Sequence, residues 1–345
     1  MVISQVNYLI LFVISYLLVG LLTPIMRKIA IAQGVLDLPN SSHKSHKKPV
    51  PYLGGVAIIS GVLIVTYLAI ISFKFTWSSF WLVTSILGPA VAMGLVGLWD
   101  DLKNLNPLPR FIGQSIAGLV IAFILILNDT IGNPTGIIEL DVLITVLWIV
   151  GICNSINFFD NLDGGAAGTV AIAAISLAYL TITSNQYFIA ALSVVLAGST
   201  FGFLIWNRTP ARIYMGDAGS LFLGVLIATL TIRFKPDTDN SITSFAIPIL
   251  LLAIPILDTT VAVISRLRRG VSPFQGGKDH LSHRLVRYGL SRRITAVALW
   301  LLSALYGLFA LLISKSDSDY ELALLVIASA VWLTLLVIFL RSTDE

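Results

Sequence analysis

The sequence predicts an all-α polytopic membrane protein with about eleven transmembrane helices. Of its 345 residues, 57% are hydrophobic and only 12% are charged, and the mean hydropathy is +0.91. Soluble domains carry roughly a quarter charged residues, so a water-soluble core could not bury this much apolar surface. Apolar runs of about twenty residues, the length that crosses a bilayer as a helix, recur along the chain. The runs are too long, and alternate too little, for membrane β-strands.

Eleven such runs predict a single integral-membrane domain over residues 1–345. The predicted spans cover about 5–24, 52–72, 78–99, 110–128, 139–156, 166–184, 186–206, 217–233, 243–264, 294–314 and 321–341. The first run has no basic segment before it, so we interpret it as a retained span and not as a cleaved signal. Cys153 is the single cysteine, which excludes an intrachain disulfide and a zinc site of the CxxC type.

Basic residues are concentrated in every second loop. When each loop is numbered by the span before it, the odd loops and the C-terminal end contain 18 of the 22 lysines and arginines. By the positive-inside rule, this asymmetry predicts an outside N-terminus, a cytoplasmic C-terminus and a location in the inner (plasma) membrane. The predicted cytoplasmic loops are about 25–51, 100–110, 157–165, 207–216 and 265–293. No internal repeat is evident, which counts against an inverted-repeat transporter.

Loop 3 carries adjacent carboxylates, Asp100 and Asp101, at the end of a span. Two neighbouring carboxylates close to hydrocarbon repel each other and need a cation or a proton. Proteins bind Mg²⁺ through one or two carboxylates together with phosphate oxygens. The pair is therefore a candidate site for a metal ion or a phosphate, although an ordinary polar turn would use the same residues.

The end of span 5 and loop 5 contain a run of amides and carboxylates. Asn154, Asn157 and Asn161 follow helical i, i+3, i+7 spacing, and Asp160 lies three residues after Asn157, so these side chains share roughly one helix face. Asp163 and Gly164 come next. Polar groups at this depth are costly without partners, which favours a ligand site. The alternative is helix capping with hydrogen bonding between helices.

Loop 7 ends at Tyr214, Gly216 and Asp217, where the next span begins. Asp217 could be the N-cap of that span. It could also bind a metal ion beside a phosphate, because the amides of a helix N-terminus add positive potential.

The four histidines of the chain all lie in loops 1 and 9. His280, His283 and Arg284 of loop 9 predict a cationic group suited to a diphosphate. Zinc is an alternative, since histidines at i and i+3 could ligate it, but no third ligand stands at a motif spacing. Loop 1, with Lys44 and His46, is basic and broken by proline, and predicts contact with a phosphate or a lipid headgroup.

Asp258 stands apart from these motifs, inside span 9 about two turns from its predicted cytoplasmic end. An ionisable residue at this depth is a functional candidate. Pairing with Arg266 or Arg268 is the alternative, and Asp258 stays outside the predicted catalytic set.

In these residues the chain resembles the polyprenyl-phosphate N-acetylhexosamine-1-phosphate transferases. The resemblance spans nearly the whole chain and rests on five ordered motifs. They are Pro51 with Gly54-Gly55, Asp100-Asp101, the run from Asn154 to Gly164, Gly216-Asp217-Ala218-Gly219-Ser220, and His280, His283 and Arg284. Family members transfer a sugar-1-phosphate from a UDP-sugar to a polyprenyl phosphate, use Mg²⁺ and release UMP, the first membrane step of cell-envelope polysaccharide synthesis.

The branch of the family that uses UDP-N-acetylglucosamine looks closer than the phospho-MurNAc-pentapeptide transferases of peptidoglycan synthesis. The latter usually have three consecutive histidines in loop 9, and here Ser282 interrupts such a run. His43 and Asn104 also depart from the family pattern. These departures bear on the choice of sugar more than on the type of reaction.

The resemblance implies a role for each candidate residue. The expected metal ligands are Asp217 and Asn157, with Mg²⁺ as the cofactor and Mn²⁺ as a conceivable substitute. The expected catalytic residues are Asp100, Asp101, Asp160 and Asp163. The expected substrate-binding residues are Lys44, His46, Asn154, Tyr214, His280, His283 and Arg284.

The expected partners are a UDP-N-acetylhexosamine and a polyprenyl phosphate lipid in the membrane, with no nucleic acid. A homodimer is left open. The non-enzyme alternative is a multi-span transporter, which would place polar residues along a path through the bilayer midplane. Here the loop carboxylates stop at one interface, which favours an interfacial enzyme.

Overall fold

The computed structural model describes residues 4–37, 49–72, 76–103, 105, 107–238, 240–273 and 277–341, apart from the side chains of residues 107, 318 and 319. These residues form thirteen helices and one two-stranded antiparallel sheet. The helices are α1 (Gln5–Ala32), α2 (Gly54–Ser72), α3 (Trp77–Lys103), α4 (Pro107–Leu127), α5 (Ile138–Phe159), α6 (Gly165–Thr183), α7 (Tyr187–Asn207), α8 (Gly216–Arg233), α9 (Ser241–Leu251), α10 (Ala253–Arg268), α11 (Leu281–Arg287), α12 (Arg292–Ile313) and α13 (Ser318–Arg341). The strands are β1 (Leu36–Asp37) and β2 (Val50–Pro51).

Ten of the described helices are long and apolar enough to cross a membrane. Each coincides with one predicted span, although α1 continues to Ala32, well past its predicted end. The side chains of Ser4, Asn240 and Ser291 accept hydrogen bonds from amides in the first turns of α1, α9 and α12, which satisfies donors that a helix cannot pair internally. The predicted all-α polytopic architecture is confirmed.

The ninth predicted span is wrong as a single helix. The structure has α9 and α10 in its place, bent by 76° at Leu252. Pro255 explains the break, because it has no amide hydrogen to donate to the carbonyl of Leu251 and its ring crowds that carbonyl. Proline is tolerated in a first turn, so α10 begins just before it in a new direction.

The α8 helix lies at the centre of the bundle, and α13 lies at its edge. In the most apolar 18-residue stretch of α8, 83% of the residues are buried, whereas in that of α13 the buried share is 11%. An α-helix that is apolar all round is typical of such a central position. Small residues bring neighbours close to its first turn: at Gly55 and Gly97, an added Cβ would collide with the α8 backbone. Segments from several loops therefore meet at the N-terminal end of α8.

Candidate active site

The N-terminal end of α8 is capped by Asp101, which comes from the end of α3. The Asp101 carboxylate accepts hydrogen bonds from the backbone amides of Asp217 (2.8 Å) and Ala218 (3.1 Å). These amides have no acceptor within the helix, and their positive potential attracts a carboxylate. Gly216 permits the approach, since its φ is +70° and a Cβ there would collide with the Asp101 carboxylate. The sequence left open that Asp217 is the N-cap of α8. In the structure the capping carboxylate is that of Asp101.

The carboxylate of Asp217 joins α8 to two other helices. Its Oδ1 accepts a hydrogen bond from Asn157 Nδ2 on α5 (2.8 Å), and its Oδ2 accepts one from Arg110 Nη1 on α4 (2.7 Å). Asn157 Nδ2 also donates to Ser220 Oγ (2.9 Å). Polar residues of loops 3, 5 and 7 thus meet around Asp217.

Arg110 also binds a second carboxylate. Its Nη1 lies 2.7 Å from Asp100 Oδ2 as well as 2.7 Å from Asp217 Oδ2. The other oxygen of Asp100 accepts a hydrogen bond from the Leu105 amide (2.6 Å). In the sequence Arg110 counts only as one more inner-loop cation, and the signal that could have singled it out is its place in the first turn of the span after the acid pair. Asp100, Arg110, Asn157 and Asp217 form what we call the open cluster.

Asp160 lies beside the open cluster with its carboxylate unpaired among the described residues. Burial, followed by the charges of Asp217 and Asp163, raises the pKa of Asp160 to about 7. A partly buried carboxylate with no donor is costly to keep ionised. Asp160 is thus a group that would gain from a cation or from a hydrogen-bond donor on a ligand.

Asp163 connects loop 5 to loop 7. Its Oδ2 accepts a hydrogen bond from the Ala211 amide (3.0 Å). Asn207, which the sequence analysis did not single out, makes a second connection: its Oδ1 accepts from the Gly164 amide and its Nδ2 donates to the Ile213 carbonyl, both at 3.0 Å. These contacts hold the two loops together.

Asn154 pairs with Gln114 across the α4–α5 interface. Asn154 Nδ2 donates to Gln114 Oε1 (2.6 Å), and Gln114 Nε2 donates to Asn154 Oδ1 (3.4 Å). Asn154 Nδ2 also donates to the Val150 carbonyl (2.8 Å). These bonds match the alternative for loop 5, which is hydrogen bonding between helices. The position of Asn154 therefore favours a structural role over the expected contact with substrate.

The segment after β2 lies along loop 7. Tyr214 donates its amide hydrogen to the Pro51 carbonyl (2.9 Å), and its carbonyl accepts from the Gly54 amide (3.0 Å). Tyr52 donates its hydroxyl to the Asp101 carbonyl (2.7 Å). Burial, with the charge of Asp163 next, raises the pKa of the Tyr214 phenol, which keeps it neutral. The other predicted residues of loop 1, Lys44 and His46, lie outside the described residues.

Asp258 pairs with His280 of loop 9 and not with Arg266 or Arg268. Its Oδ2 lies 2.7 Å from His280 Nδ1, and its Oδ1 accepts from the Leu281 amide (2.7 Å). His280 Nε2 lies 3.1 Å from Arg266 Nη2. A guanidinium can only donate, so Nε2 accepts and the ring hydrogen is on Nδ1, facing Asp258. Both ring nitrogens of His280 are engaged within the protein.

Asp279 binds two arginines. Arg266 reaches it through Nε (2.9 Å) and Nη2 (2.8 Å), and Arg269 through Nη2 (2.7 Å). Burial alone would raise the pKa of Asp279, but the hydrogen bonds and charge of Arg266 outweigh it and hold the pKa below its ordinary value. Asp258, Arg266, Arg269, Asp279 and His280 form what we call the closed cluster.

The expected cationic group of loop 9 does not form. Arg284 is 1% exposed and donates to the Asp279 carbonyl (2.9 Å), the Phe339 carbonyl (2.7 Å) and Ser265 Oγ (2.6 Å), so it is directed into the protein. Burial lowers the pKa of His283 to about 4, which makes its imidazole neutral at physiological pH. Both differences have one physical cause, which is that loop 9 is packed into the bundle.

Zinc gains no support from the geometry. Over the described parts of loops 3 to 9, no three His, Cys, Asp or Glu side chains converge as a metal-binding group. Structural and catalytic zinc sites use three or four such ligands. A magnesium site needs fewer, because substrate phosphates and water complete its shell.

Comparison with known proteins decides the family. A model described as glycosyl transferase family 4 matches residues 83–235. A probable undecaprenyl-phosphate N-acetylglucosaminyl 1-phosphate transferase of Bacillus subtilis is 34% identical over 343 residues, which cover 97% of the chain and 89% of the relative. The chain belongs to glycosyl transferase family 4. Residues 83–235, which match the family model, contain the whole open cluster of this family 4 protein. The closed cluster follows this segment in the chain.

Two further relatives match the family 4 protein over most of its length. A decaprenyl-phosphate N-acetylglucosaminephosphotransferase of Mycolicibacterium smegmatis is 30% identical, with 92% of the chain and 86% of the relative covered. A phospho-N-acetylmuramoyl-pentapeptide-transferase of Anoxybacillus flavithermus is 29% identical, with 88% of the chain and 95% of the relative covered. The resemblance stated from the motifs is thereby confirmed.

Proposed function

We propose that this family 4 protein transfers N-acetylhexosamine-1-phosphate, with N-acetylglucosamine-1-phosphate as the first choice, from a UDP-sugar to a polyprenyl phosphate and releases UMP. The observation that carries the proposal is the convergence on Asp217 of Asp100, Asn157 and Arg110 from three other elements. Relatives named as N-acetylglucosamine-1-phosphate transferases support the choice of sugar. The loop charges support a cytoplasmic site in the inner membrane.

The chemistry of the open cluster fits a magnesium ion. Asp217 and Asp100 supply carboxylate oxygens, and Asn157 supplies an amide oxygen that accepts no hydrogen bond from the described residues. Hard oxygen donors of this kind, few in number, are what Mg²⁺ uses beside phosphates, and Mn²⁺ could substitute. A guanidinium already lies between the two carboxylates, so the site stabilises positive charge. When bound, Mg²⁺ would neutralise the diphosphate and the leaving phosphate.

In the proposed reaction, a lipid phosphate oxygen forms a bond to the β-phosphorus, and the bond from that phosphorus to the UMP oxygen breaks. The second pKa of a phosphate monoester is about 6, so the nucleophile needs little help from a base near neutral pH. Both carboxylate oxygens of Asp101 accept hydrogen bonds from amides in the first turn of α8. We therefore assign Asp101 to positioning Asp217, and Asp100 to holding charge, with alignment of the two anions as the main task of the site.

The remaining residues divide into ligand contacts and supports. Asp160, unpaired within the described chain, and Tyr214 stay candidates for the nucleotide, and neutral His283 for a hydrogen bond to the sugar or diphosphate. Asp163 supports loop 7. Asn154, His280 and Arg284 we now place among the supports, because their polar atoms bind the protein itself.

One assay tests the proposal. The purified protein is incubated with polyprenyl phosphate, Mg²⁺ and each of three radiolabelled donors: UDP-N-acetylglucosamine, UDP-N-acetylgalactosamine and UDP-MurNAc-pentapeptide. We expect lipid-extractable label from UDP-N-acetylglucosamine together with UMP. Release of UDP would mean that the sugar is transferred without its phosphate, and would overturn the proposal. Label from UDP-MurNAc-pentapeptide alone would favour the activity in the name of the 29% identical relative.

A further inference from the structure

Arg110 occupies the space between the two carboxylates that the proposed metal ion would share. One nitrogen, Nη1, lies 2.7 Å from an oxygen of Asp100 and 2.7 Å from an oxygen of Asp217. The other oxygen of Asp217 is bound by Asn157. Each oxygen of Asp217 keeps a lone pair beside its donor, but the guanidinium fills the space between Asp217 Oδ2 and Asp100 Oδ2, so a cation that binds both of these oxygens there must displace it.

We infer that Arg110 is a resident counter-cation, which a divalent metal ion must displace from Asp100 and Asp217 before it can bind. The inference rests on the proposed function for the identity of the metal ion. A guanidinium stays protonated at all physiological pH values, so it can leave the carboxylates only by moving. Arg110 and the metal ion would therefore compete for the same oxygens.

The charge balance explains why such a cation is present. Asp100, Asp101 and Asp217 bring three carboxylates to one end of the bundle, and like charges this close disfavour ionisation. Arg110 lowers that repulsion while no metal ion is bound. Once a divalent ion arrives, a guanidinium at the same place would repel it, because the interaction between charges a few ångströms apart is strong near a protein surface.

The exposure of the pair makes displacement feasible. The side chain of Arg110 is 25% exposed and that of Asp217 is 28% exposed, whereas Arg266 and Asp279 in the closed cluster are 3% and 2% exposed. Water can solvate the Arg110 guanidinium as it leaves, which lowers the cost of breaking the pair. The same exchange at Asp279 would strand a buried charge.

The experiment measures metal binding directly in the full-length protein in detergent, without substrates. Free Mn²⁺ is followed by electron paramagnetic resonance during titration of the wild type and of R110Q, R110M and R110K. R110Q replaces the charged side chain with a polar one and R110M with an apolar one. The test can therefore be made even if only one of the two variants folds. K103Q is the matched control, since Lys103 is exposed at the end of α3 and removal of its charge leaves the open cluster intact.

We expect Mn²⁺ to bind on the order of tenfold more tightly to R110Q and R110M, because two charge-assisted contacts no longer have to be broken. R110K and K103Q should stay within roughly threefold of the wild type, a smaller change than one lost charge-assisted contact produces. Thermal unfolding gives a second measure: Mg²⁺ should raise the Tm of the charge-free variants more than that of the wild type.

Equal or weaker Mn²⁺ binding by folded R110Q or R110M would overturn the inference and leave the proposed transfer reaction standing. An affinity gain in K103Q as large as in R110Q would also overturn it, since the effect would then come from net charge and not from displacement. If no form of the protein binds Mn²⁺ or Mg²⁺, the magnesium assignment fails along with the inference, and the assay for UMP release still judges the reaction.

Discussion

The open and closed clusters are both built around ion pairs between arginine and aspartate, but they differ in access to water. In both, an arginine binds a carboxylate at 2.7–2.8 Å. The arginine and aspartate of the open pair are about a quarter exposed, and those of the closed pair are almost fully buried. A buried ion pair is costly to break because a charge is left unpaired, whereas an exposed pair can exchange partners. Burial therefore separates a cluster that can take part in catalysis from one that fixes the shape of loop 9.

The closed cluster also shows how a broken span is used. The bend at Leu252 and the polar residues of α10 let Asp258 and Arg266 meet His280 and Asp279. All of these side chains except Arg269 are buried. In the open cluster only Asp100 is buried, and the central carboxylate, Asp217, lies partly exposed in the first turn of α8. The contrast predicts that substitutions in the open cluster will mainly lower activity, whereas substitutions in the closed cluster will mainly lower stability.

The largest effect is expected from D217N in the open cluster. It should lower transfer activity by at least about a hundredfold, the upper range for lost support at a metal site, while the Tm stays close to the wild-type value. UMP release and thermal unfolding measure the two quantities in the same preparation. Near-normal Mg²⁺-dependent transfer by folded D217N would show that Asp217 is not a metal ligand.

The next effect is on stability and compares two partners of one carboxylate. R266Q removes the buried partner of Asp279 and should cost roughly 3–5 kcal/mol, seen as a large fall in Tm. R269Q removes a partner whose side chain is 43% exposed, so it should cost at most about 1 kcal/mol. Similar falls in Tm for the two variants would contradict the distinction drawn from burial.

D258N tests whether Asp258 positions loop 9. Its carboxylate accepts from two donors, His280 Nδ1 and the Leu281 amide, through different oxygens. Asparagine keeps only one acceptor oxygen, so one buried donor loses its partner, at a cost of about 1–3 kcal/mol. If the role is positioning, kcat should fall with little change in KM for the lipid. Unchanged stability and kinetics would mean that the pairing has no such role.

The smallest expected effect is a pH dependence that arises from His283. Its pKa falls from 6.5 in the unfolded chain to about 4 in the folded protein, because burial disfavours the imidazolium. The unfolded state then binds the proton more readily between these values, so stability is lost as the pH falls from 6.5 towards 4. The Tm of the wild type should therefore fall more steeply over this range than the Tm of H283Q. If the Tm of the wild type and of H283Q fell in parallel over this range, the pH dependence would not arise from His283.

The membrane-spanning helices followed from the sequence because they depend on local properties. A run of apolar residues long enough to cross a bilayer is visible without knowledge of its neighbours. The Asp100-Asp101 pair and Asp217 stood out for a similar reason, since carboxylates at the ends of apolar spans are costly without partners. Such signals need only a few consecutive residues.

The partners of these carboxylates could not be deduced in the same way. Arg110 lies 107 positions from Asp217, and Asp101 lies 116 positions from the amide that it caps. The burial of Arg284 and the pairing of Asp258 with His280 likewise depend on how loop 9 packs into the bundle. Hydrogen bonds and ion pairs act over a few ångströms, so folding selects a particular partner from the many that one sequence offers.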